Sequence, residues 1–319
     1  MSCHFRHEQG LVLRVSVTER CNFRCRYCIP PGASTSTCGH PLALDRIVEL
    51  CAAIHSLYTV RKLKITGGEP LVRSGLPGFI QRLSEAGLGE ISLTTNASRL
   101  ADMAEDLKAA SLARVNISLD TLNAGRFRDL TSGLLDDTLS GIESAVAFGL
   151  TPVKLNAVLR RSSWREDVPE LLGFAAERGL QVRFIELMRT GPTADWAAGE
   201  YISAAVVRDW LQTIVSTVPI LRSPDSPARV DELTWTGHLL RVGWITPHSN
   251  PFCDGCNRLR LDSSGRLYRC LMDPDPLPLN DLMTSLPQPE LHKAVREYMQ
   301  GKRIPAVMST AGTMASIGG

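Results

Sequence analysis

Six times along the first two-thirds of this 319-residue chain, a short β-branched run is followed by an amphipathic helical segment. The runs occupy residues 11–17, 63–66, 91–94, 115–119, 153–159 and 182–187, and the helical segments 44–57, 76–85, 100–109, 139–148, 168–177 and 201–215. In the segment 44–57, for example, Ile47, Leu50, Ile54 and Leu57 fall on one face at helical spacing. A strand that returns parallel to its predecessor needs a crossover long enough to hold a helix, so this alternation predicts parallel βαβ units. Six units favour an incomplete (β/α)6 barrel of the TIM type, although a doubly wound open sheet fits the same pattern.

The alternation stops near residue 220. Ser223-Pro224-Asp225-Ser226-Pro227 reads as a turn or linker, 239–245 as one more strand, and 291–299 as a helix before a tail rich in Ser, Thr, Ala and Gly. We therefore expect residues 1–220 to form the partial barrel and 221–319 a C-terminal region. A formal net charge of +2 argues against a general nucleic-acid binder. There is no apolar segment at the N-terminus and no stretch long enough to span a membrane, so a cytoplasmic protein is expected. Arg makes up 29 of the 35 basic residues, either through coding bias or because guanidinium forks bind phosphate or carboxylate.

Nine cysteines in a reducing compartment point to metal chemistry where they cluster. Cys21, Cys25 and Cys28 form a C-x3-C-x2-C run just after the first strand, in the loop position where a βα protein builds its site. Cys253 and Cys256 are followed by Cys270, and Gly265 predicts a hairpin that brings Cys270 back. Soft thiolates suit iron–sulfur clusters or zinc. Three ligands are one short of a closed zinc site, and three thiolates on a four-iron cluster leave one iron open. Zinc with a borrowed fourth ligand, such as His248 or Asp254 in the second group, is the alternative. The isolated Cys51 reads as core.

Together with Tyr27 before the last cysteine and Gly67-Gly68-Glu69-Pro70 after the second strand, the first triad resembles the radical S-adenosylmethionine (SAM) superfamily. More narrowly, the segments 13–22, 65–71, 115–120, 183–188 and 252–261 and the terminal Ile317-Gly318-Gly319 resemble the GTP 3′,8-cyclase family, the first enzymes of molybdenum cofactor biosynthesis. The resemblance runs from about residue 11 to residue 319.

It implies a partial barrel whose C-terminal extension carries a second iron–sulfur cluster, giving two 4Fe–4S clusters in all. Cys21, Cys25 and Cys28 would hold the cluster that chelates SAM, with Tyr27, Gly68, Glu69, Thr95, Ser118, Asn156 and Met188 as SAM contacts. Cys253, Cys256 and Cys270 would hold the auxiliary cluster that meets guanine. Arg14, Lys62, Lys64, Lys154, Arg183, Arg258 and Arg260 match nucleotide-contacting positions, with Lys64 where arginine is common in the family. Gly318 and Gly319 would reach the site and assist. The implied reaction is reductive SAM cleavage, hydrogen abstraction from C3′ of GTP and closure onto C8. It implies a reducing electron donor and a downstream cyclic pyranopterin monophosphate synthase, is compatible with a homodimer, and involves no nucleic acid or membrane.

Overall fold

Each β-branched run of the first two-thirds forms a strand: β1 (Leu11–Ser16), β2 (Val60–Thr66), β3 (Glu90–Thr95), β4 (Arg114–Ser118), β5 (Lys154–Leu159) and β6 (Gln181–Glu186). The computed structural model describes residues 10–29, 40–189, 193–220, 226–253 and 256–302. Between these strands run α1 (Leu44–Leu57), α2 (Leu76–Glu85), α3 (Ala104–Ala109), α4 (Ala124–Thr131), α5 (Leu135–Ala147) and α6 (Trp164–Glu177). After β6 come α7 (Ala194–Glu200), α8 (Ala204–Gln212), β7 (Thr217–Ile220), β8 (Arg229–Trp235), β9 (His238–Ile245), β10 (Arg258–Leu261), β11 (Leu267–Tyr268), α9 (Leu279–Ser285) and α10 (Gln288–Gln300).

The strands form one sheet in the order β11-β10-β1-β2-β3-β4-β5-β6-β9-β8-β7, so the β/α run curls without its ends pairing. This is an incomplete barrel. Segments after residue 220 extend it on both sides: β10 lies parallel to β1, and β9 lies parallel to β6. The expected helix 201–215 is shorter, because Ser203 caps it by accepting from the Ala205 N–H and the chain before it belongs to α7. The helices α4 and α7 and the strands β7 and β8 were not expected. β7 is only four residues long and its burial shows no clean alternation, so its sequence carries little periodic signal.

The two faces of the sheet differ in chemistry. Leu11, Leu13, Val15, Leu63, Ile65, Leu93, Val115, Ile117, Leu155 and Phe184 are buried in the hydrophobic core with Ile47, Leu50 and Ile54 of α1 and Leu171 and Leu172 of α6. Each such side chain removed from water contributes about 2 kcal/mol. The alternate positions, which by the pleat face the other way, are polar on strand after strand: Arg14; Lys62 and Lys64; Glu90, Ser92 and Thr94; Arg114, Asn116 and Ser118; Lys154 and Asn156; Gln181 and Arg183; Arg258 and Arg260. A polar inner face defines a wet lumen, and its position fixes where chemistry can occur.

Candidate active site

The first cysteine triad sits in the loop after β1. The Cys28 and Ile29 N–H groups both donate to the Cys25 carbonyl at 2.9 Å, so the last two cysteines share a turn. The unexpected α4 braces this loop. Arg24 N–H donates to Thr131 O at 2.7 Å, Arg26 N–H to Leu130 O at 3.0 Å, and the Phe23 ring packs edge-on against Phe127 at 5.9 Å. Burial raises the Cys25 thiol well above its usual range, and Cys28, Asp120 and Cys21 push it further. Three half-buried thiols gathered in one loop can ionise together only beside positive charge, which a metal cluster supplies. Among the described residues no group of three or more His, Cys, Asp or Glu side chains is arranged to hold a metal ion as it stands. A four-iron cluster spaces its ligands more widely than a single ion, so the donor chemistry fits the cluster.

The Gly-Gly-Glu-Pro turn after β2 is built against the same loop. Gly68 N–H donates to Thr18 O at 2.7 Å and Glu69 N–H to Arg20 O at 2.8 Å. A Cβ on Gly67 would lie 2.6 Å from Thr18 O, and one on Gly68 would drive into the Arg20 carbonyl. The glycines are thus required first by the approach of the β1 loop. Glu69 is 1% exposed and accepts from Leu71 N–H at 3.0 Å, Thr95 Oγ1 at 2.6 Å and Asn96 N–H at 2.7 Å. Burial raises its carboxyl to about 7 in spite of these bonds. Three donors within the protein thus use its carboxylate, leaving Oε2 room for one more, while the Thr95 hydroxyl also accepts from Ala97 N–H at 2.9 Å.

Ser118 ends β4, its cross-strand partner Asn156 lies midway along β5, and Met188 follows β6. Asn156 Oδ1 is buried without a donor, an acceptor that fits a ligand carrying ammonium or hydroxyl groups such as SAM. Tyr27 Oη donates to Asp120 Oδ2 at 2.8 Å, which fixes the ring beneath the same rim.

Below that rim the lumen is cationic. Burial lowers Arg14 to about 10, and Arg258 and Arg183 add to the effect. Burial likewise lowers Arg183 to about 10, with Arg114 contributing. Lys64 lies well below its usual value through burial and then through Arg14, Arg183, Arg114 and Arg258. Lys154 falls to about 7 through burial, Arg183, Arg114, Lys62 and Arg241. Two unit charges one strand spacing apart repel by roughly 3 kcal/mol at an effective dielectric of 20. Such a set is stable only with anionic company. The residue that sequence reading missed is Arg114, which ion-pairs with Glu90. Its signal was present in the alternation Arg114-Val115-Asn116-Ile117-Ser118, polar at every second position.

The second triad lies at the open edge beside β10. Cys256 N–H donates to Cys253 O at 3.2 Å, and Arg258 Nε donates to Cys256 Sγ at 3.2 Å. Burial raises the Cys256 thiol, but Arg258 and Lys302 outweigh it and bring it down to about 7. Burial, Arg14 and Arg258 push Arg260 well below the usual arginine value, while Cys270 and Cys256 oppose them. The hairpin expected at Gly265 forms: β10 and β11 pair antiparallel, Gly265 has φ +82, and Asp262 accepts from Arg266 and Tyr268 across it. Arg269 clasps Asp273 through two bonds of 2.9 and 2.8 Å and holds the turn that carries Cys270. His248 Nε2 accepts from Arg189 N–H at 3.2 Å, which occupies that nitrogen and weighs against it as a fourth ligand. Asp254, Gly318 and Gly319 lie outside the described residues. Buried Glu186, not anticipated as an anchor, accepts from the N–H groups of Ala204, His248 and Ser249, so β6 fixes the turn that leads to Cys253.

The family model of the radical SAM superfamily matches residues 15–175, and that of Molybdenum Cofactor Synthesis C matches residues 180–306. Fold, cysteine loop and match together define a radical SAM protein, a class whose chemistry rests on SAM and an iron–sulfur cluster. The chain is 43% identical over 266 residues to a GTP 3′,8-cyclase of Pelotomaculum thermopropionicum, covering 82% of this chain and 81% of that protein. It is 40% identical over 304 residues to GTP 3′,8-cyclase 1 of Pseudomonas aeruginosa, covering 94% and 92%. The chain belongs to the GTP 3′,8-cyclase family. The crystal structure of Streptococcus suis SuiB shares its fold with a TM-score of 0.60 at 15% identity, over 90% of this chain and 68% of that one. No described helix is long and apolar enough to cross a membrane.

Proposed function

We propose that the protein is a GTP 3′,8-cyclase that converts GTP to (8S)-3′,8-cyclo-7,8-dihydroguanosine 5′-triphosphate, the first step of molybdenum cofactor biosynthesis. The observation that carries this reading is the lumen: Arg14, Lys64, Lys154, Arg183, Arg258 and Arg260 face one cavity, where the only carboxylate among the inward positions named above is Glu90. So dense a cationic wall suits a polyanion, and a triphosphate is one.

On this reading Cys21, Cys25 and Cys28 hold the cluster that binds SAM, and Cys253, Cys256 and Cys270 hold a second. When bound, the first cluster and SAM supply a carbon radical able to take a hydrogen atom. The chain does the rest by placement. Tyr27, Gly68, Glu69, Thr95, Ser118, Asn156 and Met188 form the SAM side, with Asn156 Oδ1 as acceptor and with Glu69 and Thr95 stiffening the turn. Arg14, Lys62, Lys64, Lys154 and Arg183 grip the phosphates, while Arg258 and Arg260 bridge them to the second triad. Fixing both ends of the substrate holds its ribose against the reactive group, the form of catalysis that positioning alone provides. Gly318 and Gly319 complete the site from the C-terminus. Residues 1–220 thus act as the radical SAM partial barrel, which also contributes five of the phosphate contacts, and 221–319 as the region of the second cluster. The same reading implies a cytoplasmic protein, a reducing electron donor and a downstream cyclic pyranopterin monophosphate synthase, and it is compatible with a homodimer.

The test is anaerobic reconstitution followed by incubation with reductant, SAM and GTP. About eight irons per chain, 5′-deoxyadenosine and a cyclised nucleotide are expected. Release of 5′-deoxyadenosine with a peptide or another nucleotide, and none with GTP, rejects the reading.

A further inference from the structure

The register of the sheet places Arg260, Arg14, Lys64, Ser92 and Arg114 side by side on five adjacent strands: Arg14 pairs with Arg260 and Lys64, Lys64 with Ser92, and Ser92 with Arg114. All five face the lumen. Four are cations, and the fifth interrupts them with a small hydroxyl. Ser92 is 1% exposed, yet its Oγ has no hydrogen-bond partner. A buried hydroxyl left unpaired is costly, and a ligand oxygen at that spot would satisfy it. Serine is the smallest side chain of this row, so it puts the least bulk between Lys64 and Arg114.

Arg114 flanks Ser92 on the side away from Lys64. It begins β4, four residues and about 13 Å before Ser118 at the rim, so it lies at the end of the lumen away from the first cysteine loop. Glu90 holds one arm of its guanidinium. The same cation acts on Lys64, Lys154 and Arg183, so its charge reaches into the lumen and is not confined to the ion pair. A planar fork already anchored by a carboxylate is oriented in advance for a phosphate oxygen.

We propose that Ser92 and Arg114 form a subsite for the terminal phosphate of the substrate, at the deep end of the lumen, with Glu90 as the positioning residue for Arg114. The subsite rests on the reading of a nucleoside triphosphate substrate and deepens it: it accounts for selection of a triphosphate over a diphosphate. Ser92 donates its hydroxyl proton to a terminal oxygen and Arg114 donates N–H groups.

The test is calorimetric binding of GTP, GDP, tripolyphosphate and pyrophosphate to the anaerobic holoprotein and to the variants Arg114→Gln, Ser92→Ala and Glu90→Gln, with SAM binding as a control for the intact site. Wild type is expected to prefer GTP to GDP and tripolyphosphate to pyrophosphate. Arg114→Gln should cut that preference by about 10-fold to 100-fold while leaving GDP affinity nearly unchanged. Ser92→Ala, which removes one oxygen and threatens folding least, should cut it by about 5-fold. Glu90→Gln keeps the cation and an oxygen acceptor but loses the ion pair that aims it, so it should reduce the preference by less than Arg114→Gln does. Equal weakening of GTP and GDP by Arg114→Gln, or the same loss from Glu90→Gln, makes the pair structural and overturns the subsite. So does a wild type that fails to distinguish three phosphates from two. Arg114-dependent binding of tripolyphosphate without any preference for guanosine would end the GTP reading and leave the subsite standing.

Discussion

Tyr27 Oη and Asp120 Oδ2 meet at 2.8 Å, and through that bond the loop of the first cysteine triad is tied to the end of β4. Asp120 uses its other oxygen to accept from Val158 N–H at 2.7 Å, so one carboxylate joins the loop to β4 and β5. Asp120→Ala strands both donors and should cost about 2 kcal/mol or more, whereas Tyr27→Phe should cost about 1 kcal/mol. Urea unfolding of the anaerobic holoprotein measures both, and equal costs would show that Val158 does not depend on Asp120.

Gly68 is where the turn after β2 meets the cysteine loop. Gly68→Ala forces the turn away from the Arg20 carbonyl and should lose about 2 kcal/mol or more together with iron from the first cluster. Iron analysis and unfolding of the variant test this. Full iron content with unchanged stability would contradict it.

Triphosphate binding should weaken as pH rises. Lys154 is held near 7 by burial first and then by the cations Arg183, Arg114, Lys62 and Arg241. Below pH 7 it is charged in the empty site and adds no pH dependence of its own. Above pH 7 it is neutral when empty and must take up a proton to face phosphate, so affinity falls by up to about 10-fold per pH unit between 7 and 9. Lys64, lowered in the same direction, adds to the slope. Titrating tripolyphosphate across this range checks it, and Lys154→Met should flatten the profile.

Cys253→Ser separates the two halves of the site. Iron should fall from about eight to about four per chain, with SAM cleavage retained and cyclised product lost. Unchanged product formation would remove the second triad from the chemistry.

Glu186 offers a gentler version of that experiment. It is 0% exposed and accepts from Ala204, His248 and Ser249 N–H groups at 3.0 to 3.1 Å, and it also contacts the Ser249 hydroxyl. Glu186→Ala leaves these donors buried and unpaired, so second-cluster iron should drop while first-cluster iron holds. Loss of both in parallel would mean that the residue supports only the fold.

The strand–helix alternation was legible because a period of two giving way to one of 3.6 is a local property of the chain. The cysteine spacings were legible for the same reason. α4 was not, because its eight residues carry Arg126, Arg128 and Asp129 beside only two large apolar side chains, Phe127 and Leu130. Its role shows only where Phe127 meets Phe23 and Thr131 meets Arg24. The bond between Thr95 and Glu69 was not legible either, because it depends on β3 lying beside the turn after β2, which spacing does not reveal.

By itself the sequence determined the β/α class, the two groups of three thiols, and the residues Arg258 and Arg260 that share one face of an extended segment. Only the tertiary structure decided which cations meet. Arg14, Lys64, Ser92 and Arg114 are scattered over a hundred residues and become neighbours through sheet register, and a register is fixed by burial of the opposite face. Charge repulsion acts through space, so the same lysines and arginines that look ordinary along the chain become, inside the curled sheet, a site that calls for an anion.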